Sequence, residues 1–165
     1  DIRLIELTNK YRDAFLADRL PEMLGISVPT GWPLFPDIFR KPANTDWPFF
    51  LFASKSERAV IGSGGFLSEP DDQGRVQIGY EIAPQYRSRG FATSAMKQVL
   101  SLRPEANVVA LTDQPTSASA SVLRKLGFLY LALYNHQAAL ACTAGHFMQV
   151  QPNNSFKPTP LRGAA

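Results

Sequence analysis

The feature that most constrains the fold is a change of hydrophobic period between residues 76 and 102. In residues 76–82 apolar side chains alternate with Gln77, Gly79 and Glu81, which is typical of a strand with one apolar and one polar face. In residues 90–102 apolar side chains recur at spacings of three and four, which predicts an amphipathic helix. A strand that passes through a short loop into a helix favours a mixed α/β domain.

The flanking patterns extend this prediction to a single domain over residues 1–150. Strands at 49–54, 59–67 and 76–82 read as an antiparallel meander. The other predicted elements are a strand at 2–7, a helix at 9–18, a strand at 108–112, a helix at 117–126 that stops at Gly127, and strands at 128–134 and 142–150.

Six prolines in residues 21–48 exclude a long regular helix there. Trp32, Phe35, Asp37 and Trp47 lie among them. The segment is interpreted either as the wall of a pocket that selects a substrate or as a loop that covers the core.

Charge and composition exclude several classes of protein. The net charge of +3 is scattered, without a block of like charges, so no nucleic-acid partner is expected. No apolar run approaches the ~20 residues of a membrane span and no secretory signal is evident, so a soluble cytoplasmic protein without a membrane partner is expected. The lone Cys142 has no companions at metal-ligand spacing, and no metal is expected. The oligomeric state, a homodimer included, is left open.

The loop between the strand and the helix has the properties of an anion site. A helix N-terminus offers unpaired amides and a positive dipole, which bind an anion before any side chain contributes. Gly90 lets the backbone approach a ligand closely, while Arg87 and Arg89 add positive charge. Alone, a glycine at a helix start is weak evidence, and the polar face of the preceding strand is often just the face that meets solvent.

A second motif lies downstream, where Thr116 and Ser117 open the helix that ends with Lys125, Leu126, Gly127 and Phe128. Together the two motifs resemble the GNAT superfamily of N-acetyltransferases. Arg87, Gly90 and Ala92 match its phosphate-binding pattern. Residues 77–128 look like the subgroup that acetylates the N-termini of ribosomal proteins.

The resemblance implies a GNAT-like, mostly antiparallel central sheet flanked by helices, and acetyl-coenzyme A (acetyl-CoA) as cofactor. It implies direct transfer of an acetyl group to a primary amine of a small molecule or of a peptide N-terminus. The residues it assigns to cofactor binding are Ile82, Ala83, Arg87, Ser88, Arg89, Gly90, Phe91, Ala92, Thr93, Thr116 and Ser119.

The sequence departs from the family pattern at two positions. Thr116 stands where the family often has Asn, and Val122 and Leu123 stand where many members carry a Tyr that protonates the leaving thiolate. The proton donor is therefore left open. Tyr130 and Tyr134 are nearby in sequence, although strand aromatics are the simpler interpretation.

The candidate catalytic residue is Glu81. An alkyl amine of pKa near 10.4 costs about 4 to 5 kcal/mol to deprotonate at pH 7, so a base on the polar face would assist attack. The alternative for Glu81 is a solvated or ion-paired strand carboxylate. For the whole chain the alternatives are a non-catalytic acyl-CoA-binding module and, less favoured, a nucleotide binder, because P-loop and three-glycine motifs are missing.

Residues 151–165 contain three prolines and little periodicity, which predicts an extended tail. Their sequence resembles reading frames that run into the recombination site of a mobile integron cassette.

Overall fold

Seven strands and four α-helices make up the computed structural model, which describes residues 1–113, 116–134 and 137–143. In chain order the elements are β1 (Ile2–Glu6), α1 (Asn9–Leu16), α2 (Leu20–Leu24), a 3-10 helix (Pro36–Arg40), β2 (Phe49–Ser54), β3 (Ala59–Phe66), β4 (Arg75–Ile82), a 3-10 turn (Pro84–Tyr86), α3 (Phe91–Ser101), β5 (Asn107–Thr112), α4 (Ala118–Lys125), β6 (Leu129–Tyr134) and β7 (Gln137–Thr143).

The strands form one sheet in the order β1-β2-β3-β4-β5-β7-β6. Neighbouring strands are antiparallel except β4 and β5, which run parallel. Helix α3 connects these two strands and packs on β1, β3 and β4. The predicted meander and the predicted mixed α/β fold with a mostly antiparallel sheet are thus confirmed.

Both faces of the sheet are covered, and each has its own hydrophobic cluster. On the α3/α4 face Phe50 and Phe52 pack with Ile78, Met96 and Leu123. On the opposite face Phe49 and Leu51 pack with Trp32, Phe39 and Leu20. Strand β2 is apolar without interruption because successive side chains enter opposite cores.

The proline-rich segment is a cover for the second face. The prediction that it contains no long helix is confirmed, since Pro21 opens the five-residue α2 and Pro36 opens the 3-10 helix. Phe39 of this segment stacks on Phe15 of α1 at 3.9 Å between ring centroids and meets Trp32 edge-on.

Arg12 of α1 joins the proline-rich cover to this helix through hydrogen bonds to its backbone. It is 4% exposed, and its guanidinium donates to the carbonyl oxygens of Leu7 at 3.0 Å, Lys41 at 2.8 Å and Ile38. A buried guanidinium satisfied by three carbonyls ties the end of β1 and the 3-10 helix to α1.

One strand begins earlier than predicted. The sequence pattern predicts the last strand at 142–150, whereas β7 spans Gln137–Thr143, and the rest of the predicted range, 144–150, lies outside the described residues. Residues 137–143 are rich in alanine, a weak strand former, so the pattern there is faint. The segment pairs with both β5 and β6, and no local sequence pattern indicates this pairing.

The predicted domain end at residue 150, the tail and its integron-like sequence lie outside the described residues. In the ranges that are described, the helices are all too short or too polar to cross a bilayer.

Candidate active site

The sheet opens between β4 and β5. These parallel strands pair from Arg75–Asn107 to Ile78–Ala110, and within the described ranges the ladder goes no further, although β4 continues to Ile82. On its other edge β4 stays paired with β3 as far as Ile82. A cleft therefore lies at the carboxyl ends of two parallel strands, the usual position of a ligand site in α/β sheets.

The register decides which amides face this cleft. Ala83 N–H donates to the Ile61 carbonyl at 2.9 Å, and antiparallel ladders alternate, so Gly79 and Glu81 also bond toward β3. The N–H groups of Tyr80 and Ile82 then point to the opposite edge, into the cleft. Of the two predicted backbone contacts, Ile82 is suitably directed, whereas Ala83 is fully buried with its amide already bonded.

The loop after β4 presents the start of α3 beside the cleft. Ser88 and Gly90 have left-handed φ values of 59° and 78°, and Gly90 is the N-cap. No side chain caps the helix, so the N–H groups of Phe91, Ala92 and Thr93 lack intrahelical partners. Around Gly90 there is open space where a Cβ would stand. The loop thus leads into an uncapped helix N-terminus, the feature on which the predicted anion site depends.

The two loop arginines are held by different partners. Arg87 donates from Nε to the Ile82 carbonyl at 2.9 Å, so its exposed guanidinium stays near the end of β4. Arg89 forms an ion pair with Glu57 at 2.5 Å and lies over the Phe91 ring at 4.8 Å.

The first turn of α4 forms the other side of the cleft. The Tyr80 hydroxyl donates to the Ser119 carbonyl at 2.8 Å, which fastens this turn to β4. Ser117 caps the helix by accepting from Ala120 N–H at 3.1 Å. Thr116 and Ser119, which the sequence assigns to cofactor binding, are exposed.

The polar face of β4 does not meet bulk solvent. Gln77 is 3% exposed, Gly79 faces the Leu67 side chain, and Glu81 is half-buried beneath the proline-rich cover. The solvent interpretation of this face is wrong because Leu67 and the proline-rich cover lie against it.

Glu81 itself is bound by backbone. Leu34 N–H lies 3.0 and 3.1 Å from the two carboxylate oxygens, and Phe35 N–H also donates to the carboxylate. Burial raises the pKa of the Glu81 carboxyl above its usual value, while these two amides and the charge of Arg87 act in the opposite direction. Glu81 is thus neither fully solvated nor held in an ion pair.

Tyr130 is removed from the cleft. It lies on β6, and β7 stands between β6 and β5. The side chain of Tyr134 lies outside the described part.

Sequence reasoning missed the role of Tyr80 and the contact between Glu81 and Leu34. It also missed Gly64 of β3, where a Cβ would stand 2.6 Å from the Tyr80 Cβ. The run of glycines in residues 62–65 was the available signal, because glycine inside a strand often marks a close backbone approach.

This arrangement of a cleft, an uncapped helix N-terminus and flanking helices agrees with the GNAT-like fold predicted from the motifs. The chain belongs to the acetyltransferase (GNAT) domain family, whose model matches residues 26–129. The family predicted from the motifs is thereby confirmed.

Among individual proteins, the chain is similar to the uncharacterized N-acetyltransferase YjdG of Bacillus subtilis (strain 168), at 27% identity over 112 residues. That match covers 65% of this chain and 64% of YjdG, less than two thirds of the relative's length.

Two solved structures show the same fold. A GNAT-family acetyltransferase from Streptococcus pneumoniae matches with a TM-score of 0.61 at 12% identity, over 88% of this chain and all of that one. A ribosomal-protein-S5-alanine acetyltransferase from Vibrio fischeri matches with a TM-score of 0.55 at 15% identity, over 87% and 92% of the two chains.

Proposed function

We propose that this protein is an N-acetyltransferase that moves an acetyl group from acetyl-CoA to a primary amine by direct attack. The observation that carries the proposal is the structure around β4. One edge of this strand opens into a cleft beside an uncapped helix N-terminus, and its polar face carries a half-buried carboxylate. A donor and an acceptor amine can therefore meet at the same strand.

The cleft has the donors that a coenzyme A thioester requires. The amides at the start of α3, with Arg87 and Arg89, would hold the pyrophosphate. The Ile82 N–H would polarise the thioester carbonyl, and Thr116 and Ser119 would line the cofactor arm. Acetyl-CoA supplies the acetyl group in activated form.

Glu81 would take a proton from the acceptor ammonium. A carboxylate has about four lone-pair positions, and the amides of Leu34 and Phe35 leave some of them available. Its raised pKa makes it a better base than an ordinary Glu. The two amides also fix its orientation.

The Tyr80 hydroxyl bonds to the first turn of α4, but it is a poor proton donor. Burial raises the pKa of Tyr80 to about 12. A thiol has a pKa near 8.5, so proton transfer from Tyr80 to a departing thiolate would run uphill. We therefore assign Tyr80 the role of tying α4 to β4, and solvent the protonation of the thiolate.

The acceptor class proposed is a small-molecule amine or a peptide N-terminus. Support for the peptide comes from the motifs shared with the ribosomal-protein subgroup over residues 77–128. A cytoplasmic location and a catalytic domain over residues 1–150 belong to the same proposal.

The test is an assay of free-thiol release from acetyl-CoA against aminoglycosides, polyamines and peptides. Acetylation of an amine, verified by mass spectrometry, is the expected result. Coenzyme A binding by calorimetry without release to any amine would favour the acyl-CoA-binding module instead. If the protein neither binds coenzyme A nor releases free thiol, the assignment of the cleft is overturned.

A further inference from the structure

A carboxylate from a distant turn lies against the proposed phosphate loop. Glu57, in the turn between β2 and β3, pairs through Oε1 with the Arg89 Nη2 at 2.5 Å, although 32 residues separate them. The Glu57 side chain is 27% exposed and that of Arg89 is 46% exposed.

Both members of this pair are held in position. The Glu57 N–H donates to Ser54 Oγ at 3.3 Å, and Ser54 Oγ in turn donates to the Asp1 carboxylate at 2.8 Å. On the other side, the Arg89 guanidinium lies over the Phe91 ring. Because the turn at Glu57 and the side chain of Arg89 are already held, the pair costs less entropy than an exposed ion pair between two mobile side chains.

The pair cancels positive charge where the proposed function requires an anion to bind. The loop has Arg87 and Arg89 as its cations, and Lys55 and Arg58 flank Glu57 in the turn. The Asp1 carboxylate also lies at this turn, bonded to Ser54 and Ser56, but Glu57 is the carboxylate that bonds Arg89 and so occupies a donor that a phosphate would use.

We propose that Glu57 is an affinity-limiting residue of the cofactor site, which competes with a cofactor phosphate for Arg89 and so weakens the binding of coenzyme A. This inference rests on the proposed function. A limited affinity shortens the residence of the spent cofactor, because differences in affinity between related complexes arise mainly from the dissociation rate.

The experiment compares four proteins: the wild type, Glu57→Gln, Arg89→Gln and the double variant. Calorimetry with coenzyme A at low ionic strength should show Glu57→Gln binding about two- to fivefold more tightly, the range for a partly exposed pair. The gain should vanish in the Arg89→Gln background and shrink in about 0.5 M salt, where surface charges are screened.

The control is Glu105→Gln, which removes the same charge from an exposed position beyond the C-terminal end of α3. It should leave the affinity unchanged. An equal gain in Glu105→Gln would show a general charge effect and overturn the proposal, as would unchanged or weaker binding by a folded Glu57→Gln. Absence of coenzyme A binding by all the variants and by the wild type would instead overturn the proposed function.

Discussion

At the scale of single residues, Glu81 carries the most chemistry. Its carboxylate is half-buried, it accepts from the amides of Leu34 and Phe35, and Arg87 acts on it electrostatically. The raised pKa means that the ionised base is lost, as pH falls, at a higher pH than for a solvated Glu near 4.3.

Replacing Glu81 with Gln should reduce turnover roughly 10²- to 10⁴-fold near neutral pH while leaving coenzyme A affinity unchanged. One amide oxygen remains to accept from Leu34, so the cover stays in place. The loss should shrink as pH rises, because more of the acceptor amine is already neutral. The measurement is the ratio of the two rates from about pH 6.5 to about 9.5.

A loss that stays flat with pH would assign Glu81 to orientation of the acceptor, and a ratio near one throughout would remove it from catalysis. Stability gives a second readout. Since the pKa of Glu81 is raised in the folded state, its ionisation disfavours folding. The contribution of Glu81 to the free energy of unfolding therefore falls as pH rises from the unfolded pKa through the folded one. Glu81→Gln should lose this dependence.

The sequence predicted Glu81 but not its partners. Alternation in β4 places Glu81 on the polar face, and a few residues of sequence are enough to recognise this alternation. The contact with Leu34 N–H spans 47 positions and involves a backbone group that every residue but proline has, so no side-chain pattern encodes it. The pair between Glu57 and Arg89 could not be predicted either, because charged residues are common on surfaces and their sequence does not show which of them pair.

At the scale of elements, the passage from β4 to α3 was predictable because two periods meet at a glycine. Strand β7 was not, because alanines at 138, 139 and 141 carry little strand signal, and its position depends on β5 and β6. Local chemistry thus predicts elements with strong patterns, and tertiary pairing decides the others.

Gly90→Ala tests the loop as an element, with Gly74→Ala as its matched control. Both glycines have left-handed φ, +78° and +73°, with open space where a Cβ would stand, and Gly74 lies at the opposite end of β4. Each variant should lose about 1 to 2 kcal/mol of stability through backbone strain. Coenzyme A affinity, measured by calorimetry, should fall roughly tenfold or more in Gly90→Ala alone.

If both folded variants bind coenzyme A as tightly as the wild type, the backbone at Gly90 does not approach the cofactor. A comparable loss in both would show that strain, wherever it is placed, is transmitted to the site. Either result would contradict the assignment of the loop.

At the scale of the whole molecule, the sheet separates two apolar clusters, and Arg12 holds the layer that contains Trp32 and Phe39. Its partners are the carbonyl oxygens of Leu7, just after β1, and of Ile38 and Lys41, at the 3-10 helix, so it joins two separate stretches of chain to α1. Arg12 therefore fixes the 3-10 helix that follows directly on the loop contacting Glu81.

Arg12→Met should destabilise the fold by about 3 kcal/mol, because buried carbonyls lose their donor. Arg3→Met, at an exposed position of β1, should change stability by less than about 0.5 kcal/mol. Urea denaturation measures both. In the folded fraction, Arg12→Met should raise the KM for the amine and leave the Kd for coenzyme A unchanged.

A change in stability no larger than that of Arg3→Met would mean that the three carbonyls find other donors. If Arg12→Met changes only the Kd for coenzyme A and not the KM for the amine, Arg12 does not act through the proline-rich cover.

The separation of the two clusters has an evolutionary consequence. Substitutions around Trp32 and Phe39 repack one face of the sheet, while the residues that seat α3 and α4 belong to the other face. Descendants of such a chain can therefore acquire new acceptors by drift in the proline-rich cover without losing the inherited cofactor. Diversity among homologues should accordingly concentrate in the first third of the chain.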